Sequence, residues 1–264
     1  MQAVIVIPAR YASSRFPGKP LAPLTGATGV AKSLIERSWE AAMQVAGVAR
    51  VVIATDDARI REASAAFGAE VVMTAETCAN GTERCADALA ALGEVDLVVN
   101  LQGDAPLTPP WFVEALIAEM SARPEVSVAT PVLRCDRAAY DGFKADRAAG
   151  RVGGTTAVFT ETGRALYFSK EVLPFVSQPF GDEDCPVFHH VGVYAYRPAA
   201  LEAYMAMSET QLEREEGLEQ LRFLAHDHPV HCVQVEARGA TFWELNNPED
   251  TPKIEAVLRA RGTV

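Results

Sequence analysis

The sequence predicts an α/β protein built on a mostly parallel, doubly wound sheet, with a smaller mixed or antiparallel extension. Three observations carry this. Short β-branched runs alternate with amphipathic segments through residues 1 to 133; the first run opens straight into a cationic loop; and from residue 155 onward extended segments crowd together. Strand and helix alternating at this rhythm imply parallel strands joined by right-handed crossovers. Crowded extended segments imply antiparallel or mixed pairing at a sheet edge.

Ala3-Val4-Ile5-Val6-Ile7, bounded by Pro8, reads as a buried central strand. Val30 to Ala46 carries Leu34, Ile35, Trp39, Ala42 and Met43 on one face and stops at Gly47, which predicts an amphipathic helix. A second strand follows at Arg50 to Ala54, a helix over 58–67 ending at Gly68, and a third strand at Glu70 to Met73. Thr82 is placed to cap a helix through Leu92; Asp96 to Leu101 is a fourth strand; Pro109 and Pro110 open a helix through Met120; and Val126 to Leu133 closes the first half. Residues 134–154 are poorly patterned and read as a connection. Thr155 to Thr160, Ala165 to Ser169 and Val187 to Tyr196 are extended. Helices are expected at Ala199 to Met207 and Gly217 to Asp227, then a strand at Val230 to Glu236 and a closing helix from Pro248 to Arg261. With no repeat or linker evident, residues 1–264 are expected to form one domain: a first half (1–133), an extension (134–235) and a C-terminal return to the core (236–264).

Composition narrows the function. Apolar residues make up 49% of the 264 positions, and 24 Lys plus Arg against 35 Asp plus Glu give a net charge of −11. A chain this acidic is a poor non-specific binder of nucleic acid, so any anionic ligand must be met by locally concentrated positive charge. Cys78, Cys85, Cys135, Cys185 and Cys232 are scattered and never in CxxC spacing, which argues against a zinc site or a disulfide framework. No basic-then-apolar leader and no apolar run near the length of a membrane span is evident, so the expectation is a cytoplasmic protein without membrane insertion.

Arg10, Arg15 and Lys19, with Ser13, Ser14 and Gly18, follow the first strand. Ligands of open α/β sheets bind beyond the carboxyl ends of the strands, and this set suits a polyphosphate. Neither GxxxxGK[ST] nor GxGxxG is present. Gln102-Gly103-Asp104 ends the fourth strand at the same edge; Asp104 is placed either to hold a divalent cation against phosphate oxygens or to cap the turn before Pro106. Asn80-Gly81-Thr82-Glu83-Arg84 sets a helix N-terminus before an arginine, a possible base or phosphate site that is equally an ordinary turn and cap. Thr55-Asp56-Asp57 is equally ambiguous. His189, His190, Glu219, Gln220 and Arg222 are polar groups in apolar patterning and read either as satisfied structural residues or as ligands.

Seven stretches, PARYASSRFPGKPL (8 to 21), IATDD (53 to 57), NGTER (80 to 84), NLQGDAP (100 to 106), ALYFSK (165 to 170), HHVGVYAYR (189 to 197) and GLEQLR (217 to 222), together resemble the 3-deoxy-manno-octulosonate (Kdo) cytidylyltransferases over nearly the whole chain. The resemblance implies a Rossmann-like nucleotidyltransferase, usually a homodimer, that joins CTP to a 2-keto sugar acid with Mg²⁺ and releases pyrophosphate for lipopolysaccharide or capsule synthesis. It makes the first half CTP-binding and the extension acceptor-binding and dimer-forming. Arg10, Ser13, Arg15 and Lys19 would meet the triphosphate, with Arg10, Lys19 and Asp104 as catalytic groups. Asn80, Gly81, Thr82 and Arg84 would help hold the cytidine. Gln102, Lys170, His190, Tyr194, Glu219 and Gln220 would line the sugar-acid pocket, and Asp104 and Asn246 would hold the metal.

Several positions depart from the family pattern. Ala105 stands where QGDEP has glutamate, Thr155 to Val158 replace V-K-V-V, and Lys170 stands for an arginine, losing its planar fork. Asn246 occupies the second metal aspartate of V-D-T-P-E-D, and an amide carbonyl ligates without contributing charge. A related cytidylyltransferase acting on an amino-Kdo, a nonulosonate or a phosphonate is therefore an alternative, and a non-catalytic nucleotide-binding homologue is another.

Overall fold

The run Ala3–Ala9 forms β1, and each of its seven residues is buried, as a strand covered on both faces requires. The computed structural model describes residues 1–12, 16–152 and 154–264. Two units are distinguished, residues 1–114 with 239–264, and residues 115–238.

In the first unit a small antiparallel pair, β2 (Pro23–Thr25) and β3 (Ala31–Ser33), precedes α1 (Leu34–Ala42). The apolar pattern predicts this helix from Val30. Instead Ser33 caps it, its hydroxyl accepting from Glu36 N–H at 3.3 Å, because residues 31–33 pair with β2. Then come β4 (Val48–Thr55), α2 (Ala58–Ala66) capped by Asp57, β5 (Glu70–Met73), α3 (Gly81–Leu92), β6 (Leu97–Leu101) and the first residues of α4 (Pro110–Ala122), whose remainder from Ala115 is counted in the second unit. Asn80, not Thr82, caps α3, its side-chain oxygen accepting from Glu83 N–H at 2.8 Å. The four strands run parallel in the order β5-β4-β1-β6, with Val6 opposite both Val52 and Asn100. Parallel alignment brings the loops after β1, β4 and β6 to one edge.

The second unit is organised on β7 (Val128–Arg134). It is followed by α5 (Arg137–Ala148), β8 (Thr155–Phe159), β9 (Ala165–Ser169), β10 (Phe188–His190), β11 (Val193–Tyr196), α6 (Pro198–Ala206), α7 (Gln211–Glu216), α8 (Leu221–Ala225) and β12 (His231–Val235). β12 pairs with β7 in parallel, and β10 and β11 pair with it antiparallel; β8 joins β10, and β9 joins β8. Two expectations fail here. The stretch read as an unpatterned connection holds α5, which Asp136 caps and which buries Phe143. Gly217 ends α7 with φ +60° and does not begin a helix.

The chain then returns to the first unit. A 3-10 turn at Pro248–Asp250 leads into α9 (Thr251–Ala260), and Ile254 and Leu258 pack with Leu24, Leu34, Leu107 and Leu245.

Candidate active site

The loop after β1 is closed by Gly18 N–H donating to Tyr11 C=O at 3.0 Å. The Arg59 guanidinium lies 3.3 Å from the centroid of the Tyr11 ring, a cation–π contact that anchors the loop to α2. From the short turn Lys19–Leu21, Lys19 Nζ reaches to within 2.5 Å of Asp104 Oδ2. The cationic loop and the carboxylate after β6 are therefore neighbours, as their positions in the sequence predict. Arg10 Nη1 donates to Ala79 C=O at 3.4 Å, which sets it beside the approach to α3. Ser13 and Arg15 lie outside the described residues.

Gly103 explains why the turn carrying Asp104 is tight. A Cβ at this position would lie 2.8 Å from the Pro8 carbonyl oxygen, at the end of β1. Only glycine lets the two loops approach so closely. Ser38 Oγ fixes the turn by donating to the Gly103 carbonyl at 2.9 Å, and Ala105 N–H donates to the Gln102 carbonyl at 3.1 Å. Ala105 is itself buried.

Residues 80–84 occupy the first turn of α3. A Cβ on Gly81 would fall 2.8 Å from Gln102 Nε2 and 3.1 Å from Asn100 Nδ2, so this turn and the Q-G-D turn adjoin. Asn100 is fully buried, and neither of its amide atoms has a hydrogen-bond partner among the described residues. Thr82 is buried. Arg84 is buried too, its Nη1 2.6 Å from Thr74 Oγ1 and 3.4 Å from Asp56 Oδ1, which ties α3 to the Thr55-Asp56-Asp57 turn.

The C-terminal return supplies a residue that the sequence reading missed. Leu245 N–H donates to the Asp104 carbonyl at 2.9 Å while its side chain sits in the core, and Asn246 N–H turns back to the Glu244 carbonyl at 3.1 Å. This three-residue turn brings the side chains of 244 and 246 together, with Asn246 Nδ2 3.4 Å from Glu244 Oε2. Burial, together with the negative charge of Asp104, raises the Glu244 carboxyl to about 7, against the opposing pull of the Asn246 hydrogen bond and Lys19. Asp250 holds the turn by accepting from Trp243 Nε1 at 3.0 Å, Asn246 N–H at 3.1 Å and Asn247 N–H at 2.8 Å. Glu244 stands two residues before the motif position occupied by Asn246, and no local pattern marks it.

The remaining predicted residues lie in the second unit. Thr130 Oγ1 and His190 Nε2 are hydrogen-bonded at 2.9 Å, and the Val193 carbonyl lies 2.8 Å from the same hydroxyl. Burial lowers His190 to about 3, with the charge of His189 as a lesser cause, and the imidazole is neutral at ordinary pH. Its ring lies 5.5 Å from that of Tyr194, whose hydroxyl donates to Gln220 Oε1 at 3.0 Å. Gln220 is buried, and among the described residues its Nε2 has no hydrogen-bond partner. Glu216 accepts from Lys170 N–H at 2.8 Å and Ser169 Oγ at 2.6 Å. Lys170 Nζ lies over Gly217, where a Cβ would be 2.8 Å away. Glu219 follows two residues later, and its carbonyl accepts from Tyr204 at 3.2 Å.

Comparison with known proteins bears on the family and the fold. A family model described as cytidylyltransferase matches residues 4–229. A 3-deoxy-manno-octulosonate cytidylyltransferase of Maricaulis maris is 44% identical over 263 residues, covering 99% of each chain. A mitochondrial protein of the same name from Arabidopsis thaliana is 36% identical over 98% of this chain and 84% of its own. Among solved structures, a CMP:2-keto-3-deoxy-manno-octonic acid synthetase complexed with CTP superposes with a TM-score of 0.82 at 36% identity, covering 99% of this chain and all of the other.

Proposed function

The chain belongs to the 3-deoxy-manno-octulosonate cytidylyltransferase family, and from that premise we propose that it is a nucleotidyltransferase joining CTP to the 2-keto sugar acid Kdo, with release of pyrophosphate. The observation that carries this is the Lys19–Asp104 pair, which sets a cation and a carboxylate side by side at the edge where a parallel sheet binds nucleotides.

In the proposed reaction the anomeric hydroxyl oxygen of the acceptor bonds to the α-phosphorus of CTP as the bond to the pyrophosphate oxygen breaks, and the hydroxyl proton leaves to solvent. Protein groups position the reactants and meet the charge that develops. Arg10 and Lys19 balance phosphate charge, joined by Ser13 and Arg15 of the same loop. Asn80, Gly81 and Thr82 at the start of α3 hold the cytidine, and Arg84 keeps that turn in place through Thr74 and Asp56. Among the described residues no three of His, Cys, Asp and Glu gather into a metal cage. Mg²⁺ binds through one or two carboxylates and substrate phosphates. Asp104 would hold it, with Asn246 nearby as a neutral oxygen donor. When bound, Mg²⁺ neutralises charge on the phosphate oxygens.

In the second unit Lys170, His190, Tyr194, Glu219 and Gln220 hold the sugar acid. The unpartnered Gln220 Nε2 supports this, because a donor left unsatisfied in the free protein is suited to an acceptor's hydroxyl or carboxylate oxygen. Among the described residues no helix is long and apolar enough to cross a membrane. A cytoplasmic homodimer serving lipopolysaccharide or capsule synthesis is the setting that the family resemblance supports.

Pyrophosphate release measured with CTP, Mg²⁺ and a panel of acids tests the reading. Turnover with Kdo above that with amino-Kdo, nonulosonates and phosphonates is expected. Preference for another acid would reassign the acceptor, and no release with any acid would remove the activity.

A further inference from the structure

Asn246 is neutral, yet the turn that carries it also carries a carboxylate. Leu245 N–H bonds to the Asp104 carbonyl, so residues 244 to 246 run alongside the Q-G-D turn. The Asn246 N–H to Glu244 C=O bond folds the two flanking side chains toward each other, and the amide nitrogen of Asn246 faces Glu244 Oε2. Lys19 pairs with Asp104, and the Glu244 carboxylate, beside Asn246 on the segment that bonds to the Asp104 turn, adds an oxygen donor of the kind Mg²⁺ selects.

We propose that Glu244 is the second charged ligand of the divalent cation held by Asp104, beside the neutral donor Asn246, whose amide nitrogen contacts the Glu244 carboxylate. The assignment rests on the metal reading above and deepens it. The second carboxylate reaches the site from two residues upstream of Asn246, because the turn at Leu245 brings positions 244 and 246 to one place. Asp250 makes this possible by fixing the backbone at 246 and 247 and the indole at 243.

The test is Mn²⁺ affinity of the full chain, read from the free-ion electron paramagnetic resonance signal and so independent of turnover, with thermal melting to confirm that each variant is folded. Glu244→Gln is expected to weaken Mn²⁺ binding by about tenfold or more, the effect of removing one charged ligand. Adding Asn246→Asp to that variant is expected to restore affinity to within about threefold, because either position can then present the carboxylate. Unchanged affinity in Glu244→Gln, alongside a loss in Asp104→Asn, would overturn the assignment while leaving the metal at Asp104. A loss that Asn246→Asp does not repair would also overturn it, since Glu244 would then be acting on the loop and not on the ion. If Asp104→Asn itself leaves affinity unchanged, the metal reading fails and this assignment fails with it.

Discussion

Lys19 Nζ and Asp104 Oδ2 stand 2.5 Å apart, linking the loop after β1 to the turn after β6. Their side chains are 16% and 25% exposed, so neither charge is fully desolvated and the pair adds only about 1 kcal/mol to stability. In the proposed reaction its importance is chemical. Lys19→Ala and Asp104→Ala are each expected to lower kcat/KM by about 100-fold or more while the melting temperature moves by only a few degrees. Pyrophosphate release and circular dichroism, measured on the same preparations, check both halves of the expectation. Near-normal turnover in either variant would remove that residue's role.

Two glycines separate structural from ligand effects. At Gly103 an added methyl would meet the Pro8 backbone oxygen at 2.8 Å, and a carbonyl inside a sheet has nowhere to go. Gly103→Ala is expected to cost about 1–3 kcal/mol and to displace Asp104, lowering stability and turnover together. At Gly81 the nearest atom is the end of the flexible Gln102 side chain, also at 2.8 Å. Gly81→Ala is expected to leave urea stability nearly unchanged and to raise KM, because Gln102 must swing away. Equal destabilisation of both variants would contradict this distinction.

The places where sequence reading succeeded and failed follow from how each signal is encoded. β1 and β6 are buried along their whole length and appear as continuous apolar runs, so their ends, and with them Arg10, Lys19 and Asp104, could be placed on one edge. α5 was hidden because its buried face amounts to little more than Phe143 among Ala, Arg and Asp. The family motif marks Asn246, whereas Glu244 is carried alongside the Asp104 turn by the bond from Leu245 N–H to the Asp104 carbonyl, between residues far apart in the chain.

The buried histidines set an acid limit. His190 has its folded pKa depressed to about 3 and His189 to about 4, both chiefly by burial, against about 6.5 when unfolded. A depressed folded pKa means that the unfolded chain binds the proton first. The stability is therefore fully present above pH ~6.5 and is lost as pH falls toward the folded values. Between pH 6.5 and 5 each histidine would remove up to about 2 kcal/mol. Urea midpoints at pH 7 and pH 5 should differ accordingly, and the difference should shrink in His190→Gln. An unchanged pH dependence in that variant would show that His190 is not the titrating group.

Gln220 distinguishes an acceptor contact from a packing role. Its Oε1 takes the Tyr194 hydroxyl at 3.0 Å, and its buried Nε2 has no partner among the described residues, so the amide offers an NH₂ group that they do not use. Gln220→Glu keeps the shape and the oxygen that Tyr194 needs, but replaces that donor with an acceptor and adds negative charge. For an anionic sugar acid, KM is expected to rise by about tenfold or more, the scale of losing a hydrogen bond to a charged group. KM for CTP should stay within about twofold if the residue touches only the acid. A parallel rise in both constants would mean that Gln220 supports the protein generally. A rise confined to the acid would locate the unused donor in its pocket.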